Sequence, residues 1–248
     1  MRSYTIDKLK ILFGENYYAS QYIKVFQPKI QEIVDYGEEA YFSLVGRLTC
    51  SPYDMLGWLQ EHGMDYETIS DFELFIMFFQ QLPPEDTCIL FGRLNFRKFS
   101  LYKRNDSDEL FLHQKTREGE VVIDRLVYER IASFVRFIHG YKKNTKKAAN
   151  LFTKRKIYQE YLYTKNDKQD FHSILHPLIS SMVNSSGFKY NHEEVLHMPL
   201  YKFMNSVKRI SKIKSVEALQ MSMTTYGFDY NSINPKKDLD WAGELGED

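Results

Sequence analysis

The chain has 248 residues, 43% of them hydrophobic and 15% aromatic, enough apolar material for a substantial core that needs no covalent staples. Its 33 Lys and Arg balance 33 Asp and Glu, so it lacks the overall basicity that nucleic-acid binders usually add to a local patch. The two cysteines, Cys50 and Cys88, are far apart in no C-x-x-C pair, which argues against a disulfide framework or a zinc site and for a reducing compartment.

The longest uninterrupted apolar run is Leu74 to Phe79, and Met1 to Phe13 lacks a charged region followed by a long apolar one, so neither a signal peptide nor a spanning helix is expected. Leu9 to Phe13 and Tyr22 to Phe26 alternate as strands do, with Gly14-Glu15-Asn16 as turn material, and predict a small hairpin. Pro28 precedes a helix carrying Ile30, Ile33 and Val34 and capped by Gly37. A second helix runs from Glu38 to Leu48. A third starts at Ser51-Pro52-Tyr53-Asp54 and stops near Gly63.

Ser70 and Glu73 have the S-x-x-E spacing of a capping box, and the residues after them, Phe72 and Leu74 to Phe79, are apolar on every side. Such a helix must be enclosed, and it is predicted to form the core of the first half. It ends before Pro83-Pro84, and Glu85-Asp86-Thr87 starts one further turn. From Phe99 the period becomes two. Phe99 to Tyr102 and Leu110 to His113 flank the polar turn Asn105 to Asp108, and Thr116-Arg117-Glu118-Gly119 turns again into Val121-Val122-Ile123. A three-stranded meander needs a cover, which the helix from Asp124 to His139 supplies through Leu126, Val127, Ile131, Phe134, Val135 and Ile138.

Lys142 to Asn150 is the sharpest change of composition and is read as a basic linker. Helices follow at Leu151 to Tyr163, at Asp170 to Val183 with a kink at Pro177, after Met198-Pro199, and again from Ser215. The expected fold is therefore α+β and mostly helical, with a small N-terminal hairpin, a central antiparallel meander packed by helices, and a C-terminal helical domain. Its divisions are 1–141, a linker at 142–150, a helical domain at 151–233 and a polar tail at 234–248.

Charge is uneven. Residues 136–168 carry a net +8 against −5 over residues 1–100, which marks Lys142, Lys143, Lys146, Lys147, Arg155 and Tyr158 as a candidate binding face. Basic helices attract acidic helical partners. With Tyr161 and Tyr163 the same stretch also reads as a stacking track for nucleic acid, although aromatics at helical spacing more often make core contacts. In the tail, Trp241 and Leu245 on a polar tether form a short docking motif, or else fold back on the chain.

No catalytic constellation is legible. His172 and His176 lie four apart but lack the glutamate of H-E-x-x-H, and a third ligand, His192 or Glu193, is only a guess, so no metal is expected. Asp71, Glu73, Glu85 and Asp86 belong to helix starts, where the dipole favours acids, rather than to an acid–base pair. No G-x-S-x-G, Walker-type or G-x-G-x-x-G sequence occurs, and no cofactor is expected.

Several segments together resemble a family of tail-morphogenesis proteins from phages and prophages of low-GC Gram-positive bacteria, regarded as tail assembly chaperones. They are QPKIQEI at 27–33 with DYGE at 35–38, ISDFELF at 69–75, DTCILFG at 86–92, SSMVNS at 180–185, MNSVKRI at 204–210 and KDLDWAGEL at 237–245. The resemblance implies a non-enzymatic protein of the host cell cytoplasm that binds the helical tape measure protein, recruits tail tube subunits, has no membrane contact and can form homo-oligomers. The alternatives are a structural tail or baseplate component and a nucleic-acid-binding protein using residues 136–168.

Overall fold

A computed structural model describes residues 4–116, 119–165, 167, 170–226, 228–230 and 233–245. In chain order these residues form α1 (Lys8–Leu12), β1 (Tyr17–Tyr18), β2 (Lys24–Val25), α2 (Ile30–Tyr36), α3 (Glu38–Thr49), α4 (Leu56–Glu61), α5 (Asp71–Phe79) and α6 (Pro84–Phe91). A 3-10 turn at Phe96–Lys98 leads to β3 (Ser100–Lys103), β4 (Leu110–Thr116) and β5 (Gly119–Ile123). Then come α7 (Arg125–His139), α8 (Leu151–Thr164), α9 (Leu175–Val183), α10 (His192–Leu196), α11 (Leu200–Met223) and α12 (Pro235–Asp238). This is the α+β fold expected, with the N-terminal hairpin, the antiparallel order β3-β4-β5 and a helical C-terminal region.

The capping box at the start of α5 is made as its spacing predicts. The Ser70 hydroxyl accepts the Glu73 N–H, and the Glu73 carboxylate accepts the Ser70 N–H at 2.7 Å. The helix is apolar all round because it is a partition. Phe72, Phe75, Ile76 and Phe79 face the main core, while Leu74 and Met77 face a smaller cluster with Leu56, Leu59 and Tyr66. On the main side the rings interlock: Phe75 lies 4.8 Å from Phe79 and 5.0 Å from Tyr128, and Phe96 meets Phe79 and Phe91 edge-on at 5.3 and 4.9 Å. Edge-to-face and offset pairs of this kind add to the transfer of their area from water.

The meander pairs Leu112 with Ile123 and Gln114 with Val121, so Leu112, Val121 and Ile123 lie buried on one face. α7 closes that face. Asp124 caps it by accepting the Val127 N–H at 2.9 Å, and Gly140 ends it in the left-handed region at φ 70°, a conformation available to glycine at little cost. Leu126, expected on the core stripe, is exposed, because it lies off the helix face that carries Val127, Ile131, Phe134, Val135 and Ile138. The reversal expected at Thr116 to Gly119 has Arg117 and Glu118 outside the described residues.

Four expectations are corrected. Leu9 to Phe13 is not a strand. Asp7 accepts the N–H groups of Leu9 and Lys10 and starts α1 there, and the hairpin is made by residues 17–18 and 24–25 instead. The third helix begins later, at Leu56, although Ser51 and Asp54 do exchange hydrogen bonds. Pro177 makes no kink, because α9 starts at Leu175 and places the proline in the first turn, where its missing N–H has no intrahelical acceptor to lose. Glu38 fixes that start, its carboxylate accepting the N–H groups of Ile174 and Leu175 at 2.7 Å and the Ser173 hydroxyl at 2.6 Å. Lastly, Ser215 starts no new helix, and α11 runs unbroken from Leu200 to Met223.

The main cluster continues across residues 142–150. Leu175, Met182, Val195, Leu200 and Phe203 belong to the same buried set as Ile11, Ile33 and Phe134. Buried Gln27 ties the pieces polar-wise: its amide donates to the Ile11 carbonyl at 2.9 Å and accepts the Tyr201 N–H at 3.1 Å, satisfying one of the free donors at the start of α11.

Candidate functional site

Three cations of the basic stretch, Lys143, Lys154 and Lys165, pair with acids elsewhere in the chain. α8 lies on α4, where Gly57 allows contact so close that a Cβ there would collide with Tyr161. Lys154 pairs with Glu67 at 3.0 Å and Asp65 at 3.8 Å, and Glu61 accepts the Tyr161 hydroxyl at 2.6 Å and pairs with Lys165. The Lys165 bond, then that of Tyr161, holds the Glu61 carboxyl below its usual range, and Glu61 in turn pushes the Tyr161 phenol up to about 12. Lys143 forms an ion pair with Asp71 at 2.6 Å and donates to Glu129 at 3.4 Å. Part of the −5 of the first hundred residues thus meets part of the +8 of 136–168 inside one molecule, which lowers the charge free for a nucleic-acid track.

A groove of about 740 Å³ opens between α1, α7, α11 and the tail. Leu9, Leu12, Phe137, Tyr201 and Met204 give it apolar lining, with Phe137 and Tyr201 stacked at a tilt, centroids 4.6 Å apart. Lys8, Lys142, Lys208 and Arg209 stand around it. Among the described residues no carboxylate lies within 4 Å of Lys142, Lys208 or Arg209, while Lys8 reaches Glu244 at 3.7 Å. Arg136 also lines the groove. It is 5% exposed, donates from Nη2 to the Thr49 carbonyl at 3.0 Å, and its Nε has no acceptor among the described residues.

The tail folds back along α11. Arg209 donates to the Trp241 and Gly243 carbonyls at 2.6 and 2.9 Å, and Lys212 to the Glu244 carbonyl at 3.1 Å. Glu244 and Leu245 thereby join the groove wall, while Trp241 stays 57% exposed. The candidate residues are divided accordingly. Lys142, Lys143 and Leu245 come together at the groove; Lys146, Lys147, Arg155 and Tyr158 do not line it. The residues missed by sequence reasoning are Lys8, Leu9, Leu12, Met204, Lys208 and Arg209. The helical reading of Leu9 to Leu12 depended on the Asp7 cap, and the MNSVKRI segment already held Met204, Lys208 and Arg209 without any sign that they face a cleft.

His172 lies outside α9 and is exposed, as is His176, and among the described residues no three His, Cys, Asp or Glu side chains gather as metal ligands would. Burial pushes the Cys50 thiol up to about 12, which makes it a poor nucleophile. No helix among the described residues is long and apolar enough to cross a membrane.

Residues 164–245 match the model of a family described as the YomV second domain, a family named after a phage protein. No curated protein and no solved structure matches the chain. The matched segment contains α9 to α12 and supplies the α11 and tail sides of the groove. The chain is thus similar over its C-terminal third to a phage-related family.

Proposed function

We propose that this protein is a phage tail assembly chaperone, non-catalytic and acting in the host cell cytoplasm, which holds a helical segment of the tape measure protein and recruits tail tube subunits to it. The observation that carries this reading is the groove between α1, α7 and α11, whose apolar lining and surrounding cations suit one face of an amphipathic helix. A tape measure protein is a long helix with apolar stripes that aggregate when left bare, so a partner that covers them keeps it soluble. The phage-related family match over the segment that builds two sides of this groove supports the same reading.

The test is co-expression of the chain with the tape measure protein of its own phage, followed by affinity capture. Capture is expected for the wild type and is expected to be lost in Leu9→Asp and Met204→Asp, whose circular dichroism should be unchanged. Absence of capture, with the chain recovered instead in purified mature virions, would overturn the chaperone reading in favour of a structural tail or baseplate subunit.

A further inference from the structure

The groove already holds a sample of what it recognises. At its edge the chain places its own Glu244 and Leu245, an acid next to an aliphatic side chain, with the Glu244 carboxylate 3.7 Å from Lys8 and the backbone before it held by Arg209 and Lys212. The tail side chains themselves gain little burial. Glu244 and Trp241 are exposed and Leu245 is half-buried, so the segment is retained by cation-to-carbonyl bonds at the surface rather than by a packed interface. Bonds of that kind exchange readily with water or with another acceptor.

The cations around the groove exceed what the described part of the tail satisfies. Among the described residues, Lys142 and Lys208 have no carboxylate within 4 Å, Arg209 is met by neutral carbonyls, and the Nε of buried Arg136 lacks an acceptor. An apolar cleft with unneutralised cations at its sides favours a helix whose apolar stripe is flanked by Asp and Glu, since each carboxylate would replace a neutral or absent partner with a charge-assisted bond.

We infer that the groove takes an acid-flanked amphipathic helix and that residues 239–245 act as a tethered competitor, displaced from Arg209 and Lys212 when that helix enters. This rests on the groove reading above but names the flanking chemistry of the partner and a release step, neither of which requires the partner to be a tail protein. A tethered segment that fills part of a site lowers apparent affinity by the fraction of time it is bound, and its removal restores that affinity.

The experiment uses the full chain and a fluorescent model helix of leucine and alanine with glutamates along both flanks, compared with the same helix carrying lysines there. The glutamate helix is expected to bind with an affinity that falls as salt rises, and the lysine helix to bind at least tenfold more weakly. Replacing residues 239–245 with a Gly-Ser segment of the same length removes the turn that presents their carbonyls to Arg209 and Lys212, and should tighten the glutamate helix about three- to tenfold and speed amide exchange at 239–245. Lys142→Glu with Lys208→Glu should reverse the preference between the two helices. Equal binding of both helices, or no binding even to the tail-released chain, overturns the assignment of the partner. Unchanged affinity on tail release overturns the competitor. Failure of the tape measure capture with success of the model helix would dismiss the tail-assembly role and leave the groove chemistry standing.

Discussion

α7 and α8 are helices of nearly equal length that follow one another in the chain, and they are held in opposite ways. α7 buries nine residues, among them Ile131, Phe134, Val135 and Ile138, while α8 buries none. α8 is held through the close contact of Tyr161 on Gly57, half-buried Ile157 on the smaller cluster and ion pairs of Lys154 and Lys165, and it leaves Phe152 and Tyr163 75% and 79% exposed. One helix is fixed by a fully buried stripe and the other by partial packing and pairing of charges, which makes the first a structural post and the second a removable panel. Local unfolding draws on segments of the second kind, with few buried apolar contacts and solvent-accessible bonds.

That contrast can be broken most severely at Phe134, which is fully buried and stacked on Tyr17 with centroids 4.9 Å apart. Phe134→Ala should cost about 3–5 kcal/mol, a large part of the roughly 5–15 kcal/mol that such a protein has, and chemical denaturation would read it directly. A loss below about 1 kcal/mol, on the same scale of core truncations, would show that α7 is not the post described.

The next effect lies at the end of the same helix. The ring Nδ1 of His139 faces the Val135 carbonyl at 2.6 Å and so carries the proton, leaving Nε2 to accept the Tyr41 hydroxyl at 2.8 Å. Burial holds the imidazole down at about 4 against the usual 6.5. As pH falls the unfolded chain takes the proton first, so this group's contribution is intact above about 6.5, declines towards 4 and levels off below, amounting to about 3 kcal/mol over the window. The ring resonances of His139 followed by NMR should remain those of a neutral imidazole down to about pH 4; titration near 6.5 would refute it.

On α8 the effects should be local. Gly57→Ala places a methyl against Cβ and Cγ of Tyr161, atoms close to the backbone that cannot swing aside. Amide protection over residues 151–164 should collapse while the denaturation midpoint of the core moves little, and hydrogen exchange measured across the whole chain distinguishes the two. The smallest effect is expected for Glu61→Gln, which removes the charge that Lys165 and Tyr161 share. It should raise exchange in α8 modestly and weaken its salt dependence, and the Tyr161 phenol should titrate lower than about 12.

The parts of the fold that were readable were those set by short-range chemistry. The Ser70 and Glu73 box, the helical span from about Asp124 to His139 and the two-residue period of the meander each involve groups within a few residues of one another, so their spacing carries the information. Errors arose where a distant group decided. Glu38 sets where α9 begins from 135 residues away in the chain, which is why Pro177 looked like a kink. The candidate site was half legible for the same reason: the charge count found Lys142 and Lys143 but not the α1 and α11 residues opposite them. α1 is the exception: the deciding group, Asp7, is two or three residues away, and its cap overrules the alternation over Leu9 to Phe13 that reads as a strand.

From sequence alone follow the classes of most elements, the enclosed α5, the overall α+β composition and the surplus of positive charge in the middle of the chain. Tertiary structure alone decided that part of this surplus is paired with Glu61, Asp65, Glu67 and Asp71, and that a groove whose cations lack a carboxylate among the described residues lies elsewhere, between helices whose nearest residues are up to two hundred positions apart. Capping and periodicity are properties of adjacent residues, whereas the partner of a charge and the walls of a cleft depend on which surfaces burial brings together, and no local pattern encodes that.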